Sequence, residues 1–260
     1  MITHGKFGKI EYSLHPQEPV TKLVIQVHGL RGGKDSKFRV EFANKLYKEG
    51  YSVFRINFSE GSYVSTPHGA PLGKVHSQQV EDLETVMDHL TSKLNPSSIG
   101  IIGPCTGANA ALVLASKEKY YPSIDTIIAI APYEWRSVCP IEGAPDEKYI
   151  EMVREYLSEE RRARGLKKVG VNYTNTSIVD GWEQDLTKRV SEIPMRLPIL
   201  FINGHQDPLV TPDMVIPLVS AKRGLMAHHQ ILARSHGYAN PQEVEAINSL
   251  ALDWFEKYLK

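Results

Sequence analysis

Runs of Val, Ile, Leu and Phe recur along the chain at strand length. They are KLVIQVH (22–28), YSVFRINF (51–58), SIGIIG (98–103), IDTIIAIA (124–131), PILFING (198–204) and HHQILA (228–233). Most are nearly continuous rather than alternating, which predicts strands buried on both faces of a mainly parallel sheet. Between them, residues 35–49, 74–94, 107–118 and 241–259 carry helical periodicity. In VEDLETVMDHL (80–90), Val80, Leu83, Val86, Met87 and Leu90 share one face and acids occupy the other. The last helix repeats the device with Val244, Ile247, Leu250, Leu252 and Phe255. Alternating β and α units of this kind predict an α/β protein with a doubly wound, mainly parallel sheet.

One interval breaks the alternation. Between the strands ending near Ala131 and starting near Pro198, the chain is too long for a single crossover helix. It holds EKYIEMVREYLSEERRAR (147–164), a charged amphipathic helix, and then the polar stretch VNYTNTSIVDGW (171–182). The expectation is an inserted helical cap at 133–192 over the carboxyl edge of the sheet, where open α/β folds bind ligands. Residues 1–132 and 193–260 then form the core. A decorative insertion on another side is the other arrangement this length allows.

Composition narrows the function classes. The chain is 42% hydrophobic and 23% charged, with 30 Lys+Arg against 30 Asp+Glu. A net charge of zero gives no footprint for nucleic acid or an anionic membrane surface. No apolar stretch approaches bilayer length, and the N-terminus lacks a signal-peptide h-region. The two cysteines, Cys105 and Cys139, make neither a disulfide framework nor a metal-ligand cluster. A cytoplasmic protein acting without metal or cofactor is the expectation; the oligomeric state is left open.

Three short motifs carry candidate chemistry. In GPCTG (103–107), Cys105 sits between a strand and a helix, at a tight bend that glycines permit. There it can be a buried small hydrophobe or a nucleophile, with the Thr106 amide aimed at a developing oxyanion. In NGHQDPLV (203–210), Asp207 follows a buried strand, and either caps a turn before Pro208 or orients an imidazole. In ARSHGY (233–238), His236 lies in a loop beside Gly237, a setting that suits a general base. Each signal alone is ambiguous. Their order along the chain (nucleophile, acid, histidine, each just after its own strand) is what an esterase-type triad requires. VHGLRGGKDS (27–36) adds a glycine-rich bend in which the Leu30 amide can serve as the second oxyanion donor, while His28 shapes the loop.

HGLRGG, GPCTGA, GHQDPLV and SHGY, in this order, resemble the α/β-hydrolase superfamily over nearly the whole chain. The stretch FRINFSEGSYVSTPHG (54–69) and the helix bearing Asp82 are similar to the corresponding esterase segment. The compact, single-capped subgroup with cinnamoyl/feruloyl esterases and acylglycerol lipases is the nearest in pattern. That resemblance implies the α/β-hydrolase fold and ester chemistry. The elbow departs from the subgroup: Cys105 stands where most members carry Ser, as in dienelactone hydrolase-like enzymes.

A thiol ionises far more readily than a hydroxyl, so a neighbouring His can generate a thiolate. The expected function is therefore an acyl hydrolase, carboxylesterase- or thioesterase-like, with a Cys105–His236–Asp207 triad and an acyl-thioester intermediate. Its substrate is a small-molecule ester, lactone or thioester. An acyltransferase using the same acyl-enzyme and a non-catalytic hydrolase-fold binding protein are the alternatives. Tyr133, Trp135, Tyr149, Tyr173 and Trp182 are candidate pocket aromatics, or simply cap-packing groups.

Overall fold

The computed structural model describes residues 1–66, 70–138, 145–153, 155, 172–238 and 240–260. Eight strands form one sheet: β1 (Thr3–Phe7), β2 (Ile10–His15), β3 (Lys22–Gln26), β4 (Ser52–Asn57), β5 (Ser98–Pro104), β6 (Thr126–Ile130), β7 (Ile199–Gly204) and β8 (Met226–Ile231). Their order is β1-β2-β4-β3-β5-β6-β7-β8. β3 to β8 are parallel, and the β1–β2 hairpin joins antiparallel to β4. At the centre, Ile101 of β5 pairs with Ile25 of β3 and Ile127 of β6. This is the α/β-hydrolase fold.

The helices are α1 (Lys37–Lys48), α2 (Val75–Lys93), α3 (Thr106–Ser116), α4 (Trp135–Val138), α5 (Asn175–Glu183), α6 (Leu186–Glu192), α7 (Pro212–Ala221) and α8 (Pro241–Tyr258). Residues 147–153 are also helical. Successive strand residues point to opposite faces, and the two faces make two cores. Leu23, Ile25, Ile101 and Phe201 pack with Leu83 and Met87 of α2, Leu112 of α3, and Leu186 and Val190 of α6. Val24, Ile102, Ile130 and Ile202 pack on the other side with Phe42 of α1, Val215 of α7, and Ile247 and Phe255 of α8.

The six hydrophobic runs appear as β3 to β8, although β8 starts two residues earlier than its apolar run. The hairpin β1–β2 was invisible to that pattern because THGKF and IEYSLH bury few apolar side chains. It is held instead by stacked rings: Phe7 lies 4.7 Å from Tyr12, and Tyr12 lies 4.8 Å from Phe54. α7 was likewise absent from the expected helical stretches; it carries Pro212 and Pro217. Pro212 occupies the first turn, where its missing N–H costs nothing. Burial of Met214, Val215 and Leu218 offsets the cost of Pro217.

Within 133–192, the helix expected over 147–164 is described only at 147–153 and 155; the remainder, and Cys139, lie outside the described residues. The stretch expected as polar connection forms α5, capped by the Thr174 hydroxyl accepting from Ser177 N–H. Asp180 of α5 accepts from the His76 and Ser77 amides at 2.7 and 3.2 Å, so the segment caps the start of α2.

Candidate active site

β5 ends in a bend at Cys105, whose φ of 55° and ψ of −126° are an unusual conformation for a residue with a side chain. The surrounding sequence explains how the bend is held. A Cβ on Gly107 would lie 2.5 Å from the His28 carbonyl oxygen, and one on Gly29 would lie 2.9 Å from Cys105 Cβ. Glycine at both positions lets the loop after β3 close against the start of α3. The Cys105 N–H donates to Ile130 O at 2.8 Å, tying the elbow to β6. Asn109 secures the next turn: its Nδ2 donates to Tyr133 O, and its Oδ1 accepts from Tyr133 N–H. Cys105 is half-buried, and the Thr106 amide, first in α3, has no i−4 carbonyl to bond.

The loop after β7 carries Asp207, fully buried at its side chain. Oδ1 accepts from the Leu209 and Val210 amides at 2.9 and 3.0 Å, and Oδ2 meets His236 Nδ1 at 2.9 Å and the Tyr238 hydroxyl at 3.1 Å. Burial opposes its ionisation, but the His236 hydrogen bond and charge and the two amides prevail and lower its pKa. On His236, burial disfavours the charged ring. The electrostatic influence of Cys105, then the Asp207 hydrogen bond, outweigh it and push its pKa up to about 10. With Nδ1 engaged by Asp207, Nε2 is the nitrogen able to exchange a proton with Cys105.

The loop after β3 presents Leu30. Its neighbours' amides are occupied: Arg31 N–H donates to Gly61 O at 2.6 Å, and Gly32 N–H donates to Gly29 O at 3.0 Å. Leu30 N–H makes no hydrogen bond among the described residues. His28 sits behind the loop, fully buried, donating from Nδ1 to Gly29 O at 2.7 Å and accepting at Nε2 from Phe58 N–H at 3.0 Å. Burial, then the Arg39 charge, lower its pKa to about 3, so it stays neutral.

Leu30, Cys105 and His236 line one cavity of about 330 Å³. Asp207 lies behind His236, and Thr106 lies behind Cys105 at the helix start. Tyr133, Trp135, Tyr149, Tyr173 and Trp182 are not among the described lining residues. Tyr133, Trp135 and Tyr149 are buried among themselves and their neighbours, with Tyr133 and Trp135 ring centroids 5.7 Å apart. The walls come instead from α1 and α8, a contribution that helical periodicity in the sequence does not reveal. Tyr238 is a second omission: it stands in the ARSHGY motif, but only the folded loop turns its hydroxyl onto Asp207. Among the described residues, no group of His, Cys, Asp and Glu could hold a metal ion, and no helix is long and apolar enough to cross a membrane.

The elbow, the sheet order and the loop positions define an α/β-hydrolase. Residues 11–169 match the model of the dienelactone hydrolase family, and the chain belongs to that family. It is accordingly a hydrolase acting on ester bonds. Among solved structures, an esterase domain from Rhodothermus marinus is 17% identical over all of both chains, with a TM-score of 0.69. A dienelactone hydrolase from Anabaena variabilis is 16% identical over all of this chain and 98% of its own, with a TM-score of 0.68. Est1E from Butyrivibrio proteoclasticus is 14% identical over 97% of this chain and 98% of its own, with a TM-score of 0.65. At these identities the likeness bears on the fold alone. No curated protein matches the chain.

Proposed function

We propose that this protein is an acyl hydrolase in which Cys105 is the nucleophile, His236 the general base and acid, and Asp207 the group that orients and charges the imidazole. The observation that carries this reading is that the buried Asp207 carboxylate holds the His236 ring at 2.9 Å in the same cavity wall as Cys105. Thiolate attack on a substrate carbonyl forms the C–S bond and moves the carbonyl π electrons onto oxygen. The Leu30 and Thr106 amides donate to that oxyanion. Collapse breaks the bond to the leaving group, which takes the proton from His236 Nε2 and departs. Water then attacks the thioester, gives its proton to His236 and releases the acid as the C–S bond breaks.

The segment 133–192 is taken as the cap of this enzyme, anchored in the core layer by α6. Tyr133 at its start stands close enough to Cys105 for the sulfur's charge, after burial, to help raise the phenol pKa. The finer affinity for feruloyl esterase-like enzymes belongs to the same proposal; a structure of Est1E holds ferulic acid.

A panel of aryl and alkyl esters and thioesters, run on wild type, C105A and C105S, tests the reading. Turnover by wild type, loss in C105A and trapping of an acylated Cys105 by mass spectrometry are expected. Full ester turnover in C105A would overturn the nucleophile assignment. An acyl adduct formed preferentially on an added amine, alcohol or thiol in place of free acid would move the activity from hydrolysis to transfer.

A further inference from the structure

β3 ends with Gln26 on the face that carries Val24, turned toward α1 and α8. Gln26 is 3% exposed, and neither its side-chain oxygen nor its nitrogen has a hydrogen-bond partner among the described residues. An amide buried this way is destabilising unless something pairs with it. It lines the cavity that opens on Cys105.

A second polar group shares that cavity. Arg39 of α1 is 7% exposed and has no carboxylate partner among the described residues. Its Nε donates to Val27 O at 3.3 Å, and its Nη1 donates to Gly33 O and Ser36 Oγ at 3.2 and 2.7 Å. Nη2 has no hydrogen bond among the described residues. Burial alone acts on this guanidinium, pulling its pKa down to about 10 with no acid to hold it up. Asn248 adds a further amide from α8; Arg31, Ser36 and Tyr63 also border the cavity, and Phe42 and Ile247 supply apolar wall. An all-hydrocarbon occupant would leave the Gln26 amide and Arg39 Nη2 unmatched.

We propose that this cavity seats the acyl chain of the substrate, and that the chain ends in a hydrogen-bond-accepting oxygen received by Gln26 and Arg39. The substrate class is thus an ester of an oxygenated acid, with either a terminal carboxylate or a neutral carbonyl. Selection arises because a buried donor left unpaired penalises the analogue that lacks the oxygen. Acyl specificity is assigned to β3, α1 and α8, away from the aromatics of the 133–192 segment. This rests on the acyl-hydrolase reading above.

The test measures binding and turnover separately. Methyl hexanoate, the adipate monomethyl half-ester and the hexanoate ending in a methyl ketone are titrated against C105A, then offered to wild type as aryl esters. At least one oxygenated chain is expected to bind C105A roughly tenfold or more tighter than hexanoate. Q26L and R39M in that background should each shrink the ratio; loss of the half-ester advantage mainly in R39M identifies the anion as the favoured form. Equal binding of all three chains, or a ratio untouched by Q26L, would sink the assignment. Arg39 also holds the loop, so Q26L is the cleaner arm. Gln26 makes no bond to lose, and Q26L should raise the melting temperature while weakening the preference; a merely structural Gln26 would lower it. Selective binding without turnover of any aryl ester would overturn the hydrolase reading and leave the cavity assignment standing. Preferential hydrolysis of hexanoate would do the reverse.

Discussion

His28 and His236 each follow the carboxyl end of a parallel strand, and each belongs to a loop that borders the cavity at Cys105. Their proton affinities diverge in opposite directions, to about 3 and about 10. Burial disfavours the charged ring in both, so burial does not separate them. His28 faces a backbone carbonyl, a backbone N–H and the charge of Arg39. His236 faces a buried carboxylate on one nitrogen and an ionisable sulfur on the other side. A histidine gains proton affinity here through the charged groups around it, and stays neutral where only amides and a cation meet it.

The largest break in this comparison comes from removing the charged partners. Under the proposed mechanism, H236A should cost on the order of a thousandfold or more in kcat/KM. C105A should cost at least as much, and combining the two should add little, because the groups act as a unit. Alkylation of Cys105 by iodoacetamide at neutral pH should slow in H236A; an unchanged rate would show that the imidazole does not activate the thiol. H28A, by contrast, should act first on stability. It leaves Phe58 N–H without its partner, removes one of the two donors to Gly29 O, and opens a cavity beside the Phe58 ring, 4.9 Å away. A loss of about 2–4 kcal/mol in unfolding free energy follows, read by urea denaturation. A stable H28A with H236A-like kinetics would invert the two roles.

The candidate loops drew attention through local marks at strand ends: glycines at the elbow, an acid before Pro208, a histidine beside Gly237. The strands β3 to β7 were readable because burial on both faces forces continuous apolar runs, whereas β8, exposed or half-buried along its length, gave only a short one. β1 was not, since an edge strand held by stacked rings needs no such run. α7 was hidden because the proline signal carries no information about the tertiary burial that offsets it. The cavity wall was the least legible part. Phe42 and Ile247 look like ordinary core positions of amphipathic helices, and only their packing shows that they leave space beside Gln26. Of the two roles open to the aromatics of the insertion, pocket lining or packing, Tyr133, Trp135 and Tyr149 take the second.

A sharper version of the histidine comparison is a titration. In wild type, the electrostatic influence of Cys105 leads those that raise the His236 pKa, ahead of the Asp207 hydrogen bond. C105A removes that influence while keeping Asp207, and burial then opposes protonation with less against it. The His236 pKa, followed by NMR of the ring protons, should fall below its wild-type value, while His28 stays neutral through the same range. A His236 value unmoved by C105A would mean that Asp207 alone sets it and that no thiolate–imidazolium pair exists in the resting protein.

The smallest effect belongs to Tyr238. Its hydroxyl donates to Asp207 Oδ2, the same oxygen that meets His236, and accepts from Gly204 N–H. Y238F keeps the ring but removes both bonds, leaving Asp207 with His236 and two amides. A carboxylate with one fewer donor is less stabilised as the anion, so its pKa should rise. The acid limb of the pH–kcat/KM profile should move toward neutrality in consequence. The expected loss in kcat is about three- to tenfold, the value of roughly one ordinary hydrogen bond. KM for a short ester should hardly change, because Y238F keeps the ring that lines the cavity. A rise in KM with an unmoved acid limb would instead make Tyr238 a wall of the cavity and nothing more.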